Sequence, residues 1–168
     1  MDGRAIALAV LLYALVEPLA LLAHELAHAA AVLAFTDGDA AVVVGSDDGW
    51  RWQRGRLSVT VDPTTTAALW YGVFRCETFP DRTWQAVAVP LAGPAATLVV
   101  FLGVTALITV ASGAVQFALY GLFWAELSRL IATLVPIQYP SWWGQYAGKP
   151  SDGRRAMAAL TAAGDPST

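Results

Sequence analysis

Residues 19–34 read Leu-Ala-Leu-Leu-Ala-His-Glu-Leu-Ala-His-Ala-Ala-Ala-Val-Leu-Ala, an apolar helix-forming stretch that carries both histidines of the chain, His24 and His28. The stretch belongs to a longer apolar run from Ala5 to Phe35, broken only by Glu17, Pro18 and the His24–His28 cluster. About 20 apolar residues cross a bilayer core, so the run is long enough to span even when tilted. A cleavable leader would need a cut at Ala27-His28-Ala29, through the histidine pair, and the run exceeds a normal leader's apolar segment.

The rest of the chain follows the same grammar. Further apolar runs extend over about 84–111 and 114–137, separated by Ser112-Gly113, which predicts a tight helical hairpin. Of the 168 residues, 57% are hydrophobic and only 14% charged, against about 25% charged in an average soluble domain. This composition excludes a disordered chain and argues against an ordinary soluble enzyme. The net charge of −3 gives no basic face for nucleic acid. The single cysteine, Cys76, can form neither an internal disulfide nor a cysteine-rich metal site.

The expected fold is an all-α membrane protein of one domain, with three transmembrane helices over 5–35, 84–111 and 114–137. A polar insert over 36–82 separates the first two. Within it, Ala41-Val42-Val43-Val44 is followed by the turn signal Ser46-Asp47-Asp48-Gly49, and Leu57, Val59 and Val61 alternate with Ser58 and Thr60. These two runs predict a small β-hairpin near the membrane surface. The aromatic stretch from Leu69 to Phe74 suits the headgroup level. A helix is expected over 156–163, inside a C-terminal segment of about 138–163, with a frayed end at 164–168. Arg51, Arg54, Arg56, Arg75, Arg82, Lys149, Arg154 and Arg155 fall in the insert and tail, leaving Arg4 opposite. The positive-inside rule places insert and tail in the cytoplasm.

His24-Glu25-Leu26-Ala27-His28 is an H-E-x-x-H sequence. Spacing of four on a helix puts both imidazoles on one face, able to hold one Zn²⁺. Glu25 sits about 100° round the helix, placed to reach a metal-held water and act as its base. Two satisfied structural histidines would be the plainer account, but ionisable residues within a bilayer usually mark function. A catalytic zinc site takes three protein ligands. With no third histidine the last must be a carboxylate, and Asp152 shares the membrane side of the first span's C-terminal end. Asp152 can equally be the N-cap of the following helix. Glu126 and Arg129, three apart, can pair on one helix face or meet substrate. Glu17 lines a water path or sits in a polar pocket.

In order and content the chain resembles the site-2 protease family of intramembrane zinc metalloproteases. The likeness rests on His24–His28, on Ala92-Gly93-Pro94-Ala95-Ala96-Thr97-Leu98, and on Thr133-Leu134-Val135-Pro136-Ile137 followed by Ser151-Asp152-Gly153-Arg154-Arg155. Thr97 and Thr133 stand where many relatives carry asparagine. The resemblance implies one zinc ion per chain, held by His24, His28 and Asp152, with Glu25 catalytic. It implies Gly93, Thr97 and Thr133 as substrate-binding positions, and a bilayer location in a prokaryotic cell membrane. It also implies cleavage of membrane-embedded or membrane-proximal peptides, held as a strand added to the insert. The alternative from another class is a non-proteolytic membrane scaffold retaining a remnant metal site.

Overall fold

The computed structural model describes residues 3–64 and 71–162. Helix α1, Gly3–Phe35, leads into four strands: β1 Ala40–Val44, β2 Trp50–Arg54, β3 Leu57–Val61 and β4 Gly72–Cys76. Helices α2, Thr83–Ile108, and α3, Gly113–Leu134, follow, then a 3₁₀ turn at Gly144–Tyr146 and α4 at Asp152–Ala162. Among the described residues, α1, α2 and α3 are long and apolar enough to cross a membrane. Their outward faces carry Leu11, Leu15, Val99, Leu102 and Ile131 in the open, an apolar surface that water tolerates poorly. Inside the bundle, Val104, Leu119 and Leu122 pack with Tyr13, Val16 and Phe123.

The helices end earlier than the apolar runs suggest. The α2 helix stops at Ile108 rather than near 111, and α3 at Leu134 rather than near 137. Val135 turns extended ahead of Pro136, as the pyrrolidine ring requires of the residue before it. The last helix starts at Asp152, four residues before the expected 156.

The insert is a four-stranded mixed sheet in the order β2-β3-β1-β4, which corrects the expected simple hairpin. The β1 and β3 strands, expected to pair antiparallel, run parallel, Val42 facing Val59. The turn at Ser46–Gly49 leads instead into β2, whose Trp-Arg-Trp-Gln-Arg sequence is exposed throughout. The true hairpin joins β2 to β3 through Gly55-Arg56, with Gly55 at φ 56°. The β4 strand, read from sequence only as headgroup-level aromatics, pairs antiparallel with the other side of β1. Leu69 and Trp70 lie outside the described residues, as do Thr65, Thr66 and 163–168.

One face of β1 (Ala40, Val42, Val44) packs on Leu21 and Ala29 of α1. The Arg56 guanidinium donates to the carbonyls of Leu33, Thr36 and Gly38, satisfying acceptors that the C-terminus of α1 leaves open. Sheet and helix are thereby locked, and β4 is held as the edge strand alongside Glu25.

Candidate metal centre

Helical spacing sets His24 and His28 one turn apart, with Nε2 atoms separated by 3.2 Å. Both are buried. Helix α2 supports each ring from behind. Nδ1 of His28 donates to the carbonyl of Val89 at 2.7 Å, and Nδ1 of His24 lies 2.8 Å from the Thr97 hydroxyl. Pro90 and Pro94 remove two N–H donors from α2 in this stretch. A carbonyl only accepts, so His28 carries a proton on Nδ1, and the neutral ring then presents an unprotonated Nε2.

Asp152 arrives from α4. Ser151 caps that helix, its Oγ accepting from the Arg154 amide at 3.2 Å and donating to the Val135 carbonyl at 2.6 Å. The capping role open to Asp152 from sequence therefore belongs to its neighbour. Gly153 presses on the Leu134 carbonyl so closely that a Cβ there would overlap it. Held between these contacts, Asp152 points Oδ2 at the imidazoles, 3.3 Å from His24 Nε2 and 3.6 Å from His28 Nε2. Burial disfavours ionising this carboxyl, but the two imidazoles outweigh it and keep Asp152 below the usual carboxylate range.

The three atoms can be tested against a metal. A tetrahedral ion with ligand bonds of about 2.0–2.1 Å has ligand–ligand edges of about 3.3–3.4 Å. The observed edges of 3.2, 3.3 and 3.6 Å fit that tetrahedron. Gly93 of α2 supplies the room: a Cβ on it would lie 2.6 Å from His24 Nε2 and closer still to His28 Nε2. Among the described residues, His24, His28 and Asp152 form the one group of three such side chains able to hold a metal ion.

Glu25 is buried beside this group. Its carboxylate lies against Gly72, where a Cβ would come 2.9 Å from Oε1. The three ligand residues and Glu25 line a cavity of 190 Å³, with Thr133, Tyr139 and Tyr146 also in its wall. Thr133 donates to the carbonyls of Arg129 and Leu130. Thr97 is placed differently: it backs His24 on the ring edge away from Asp152, while Gly93 lies against the imidazoles.

Arg129 also borders the cavity. It pairs with Glu126 at 2.7 Å, as spacing suggests, and additionally with Glu17 from α1. Glu17 thus sits in a polar pocket, not alone in lipid. Sequence reasoning missed Val89, Ser151, Gly72 and Tyr146. Only Tyr146 carried a local signal, being flanked by Gly144 and Gly148, both at positive φ. No family model, curated protein or solved structure matches the chain.

Proposed function

We propose that the protein is a membrane-embedded zinc metalloendopeptidase that cleaves membrane-embedded or membrane-proximal peptide bonds. The observation that carries this reading is the placement of three side-chain atoms at distances that fit corners of one metal-sized tetrahedron, with a buried carboxylate beside them. His24, His28 and Asp152 would hold the ion, and Zn²⁺ is the natural occupant of a nitrogen- and oxygen-donor set of this size. Bound there, zinc supplies Lewis acidity toward water and the peptide carbonyl. Val89 and Thr97 orient the imidazoles, as outer partners of metal-ligating histidines do. Glu25 takes the proton of the attacking water on its carboxylate and returns it to the departing amine. In this reading the insert and the tail face the cytoplasm, where eight basic residues gather.

Glu25→Gln tests the assignment. The ligands are untouched, so the variant is expected to hold stoichiometric zinc while losing peptide cleavage by about 100-fold or more. Retained cleavage would refute the mechanism. Wild-type protein without stoichiometric zinc would favour a scaffold.

A further inference from the structure

In the pairing of β4 with β1, the Gly45 amide donates to Tyr71 O and the Glu77 amide to Asp39 O. Antiparallel strands alternate between residues that bond their neighbour and residues that point away. Counting by twos from those bonds, Gly72, Phe74 and Cys76 direct N–H and C=O away from β1, to the outer edge of the sheet. That edge runs past Glu25, and its first residue is already occupied. The Gly72 amide donates to the Tyr146 hydroxyl at 2.9 Å, and the same hydroxyl donates to the Gly72 carbonyl at 3.1 Å. One side-chain oxygen thus makes both bonds that a residue of an added strand would exchange with Gly72.

The segment that carries Tyr146 is built as a strap. It is closed at its base by bonds between Tyr139 and Lys149 and between Ser151 and Ile137. From the cavity wall, Lys149 Nζ donates to the Tyr71 hydroxyl at 2.6 Å, and the Tyr146 ring packs on Tyr71 and Tyr139. Gly144 and Gly148, at φ 51° and 73°, bracket Tyr146 as turning points on either side.

We infer that Tyr146 is an internal competitor for the substrate strand: its hydroxyl occupies the backbone site at Gly72, and an extended peptide must displace the strap to reach Glu25. The inference rests on the peptidase reading of the cavity and adds to it a closed resting state. Covering an exposed edge also guards against aggregation, but that role alone would not set the affinity for a peptide.

The test uses the full chain in detergent, zinc-loaded, in the Glu25→Gln background so that nothing turns over. The probe is a fluorescein-labelled, end-blocked octapeptide of alternating valine and threonine, read by anisotropy. Adding Tyr146→Phe keeps the ring contacts and removes the competing hydroxyl. The expected result is about tenfold tighter binding, the size of one net hydrogen bond. The gain should disappear for a peptide N-methylated on the amides that would pair. A second variant, Lys149→Met, loosens the strap from Tyr71 and should shift affinity the same way by less. Unchanged or weaker binding in Tyr146→Phe, or no binding in either background, overturns the inference. Cleavage of the same peptide by protein retaining Glu25 separates the two readings. Tighter binding without any cleavage keeps the strap and sinks the peptidase. Cleavage with unchanged affinity does the reverse.

Discussion

Gly93→Ala adds one methyl group at the point where α2 meets the histidine pair. The ideal Cβ falls 2.6 Å from His24 Nε2 and nearer to His28 Nε2, about 1 Å inside an ordinary contact distance of about 3.5 Å. Metal–ligand distances tolerate only about 0.2 Å of error. The imidazoles cannot retreat, because Val89 and Thr97 hold their far edges at 2.7 and 2.8 Å. At least one nitrogen must therefore leave the tetrahedron, or α2 must move off α1. Zinc affinity should fall by more than about 100-fold, since disturbing even an outer partner costs 10–100-fold. Stability should drop by about 1–3 kcal/mol, as overpacked cores do. Competition with a chromophoric chelator measures the first quantity and denaturant titration in detergent the second. Gly103→Ala, on the same helix with nothing within 4 Å of its added Cβ, is the control and should keep wild-type zinc affinity. Wild-type zinc affinity in Gly93→Ala would refute the placement of the site.

Three further substitutions probe the surroundings. Asp152→Asn should lower zinc affinity by more than about 100-fold while α4 keeps its helicity, because Ser151 supplies the cap; chelator competition and circular dichroism separate the two. Thr97→Val keeps the volume and removes the partner of His24 Nδ1, and chelator competition should show roughly tenfold weaker binding. Arg129→Gln strands the carboxylates of Glu17 and Glu126, which are 1% and 0% exposed, and should destabilise by about 3–5 kcal/mol. Glu126→Gln, which leaves one neutral Glu17–Arg129 pair, should cost far less in the same unfolding titration.

The helices and the His24–Glu25–His28 face were legible because their signals are local: an apolar run has a length, and a spacing of four has a direction. The sheet was not. Val42 and Val59 sit on one face of parallel neighbours, and parallel pairing needs a crossover that no short-range pattern reveals. Here the crossover contains β2, which is exposed at every position and so lacks the buried-and-open alternation that marks a strand. Asp152 was reached from its side of the membrane and from the family resemblance, yet its positioning devices, the Ser151 cap and the close approach of Gly153, depend on where α3 ends. Thr97 shows the same limit more sharply. Its position in the chain drew attention to it, but only the fold decides whether its hydroxyl faces the cavity or the back of His24.

That placement also bears on how the proposed centre would stand with and without an ion. Nε2 of His24, Nε2 of His28 and Oδ2 of Asp152 converge with edges of 3.2, 3.3 and 3.6 Å, and three acceptors at that range repel unless a cation or proton lies among them. The Val89 carbonyl fixes the Nδ1 proton of His28 on the outside, so a neutral His28 has no proton to place among them. His24 can, because the hydroxyl of Thr97 donates as readily as it accepts. With a neutral His28 and no ion, Thr97 would donate to Nδ1 and His24 would keep a proton on Nε2, directed at Asp152. With an ion in place, Thr97 would accept from Nδ1 and leave Nε2 free to bind. A carbonyl behind each ring would have denied the metal-free centre that proton, and an apolar residue at position 97 would leave Nδ1 buried without a partner in either state. One fixed acceptor and one reversible hydroxyl would therefore let the same cage stand with or without an ion.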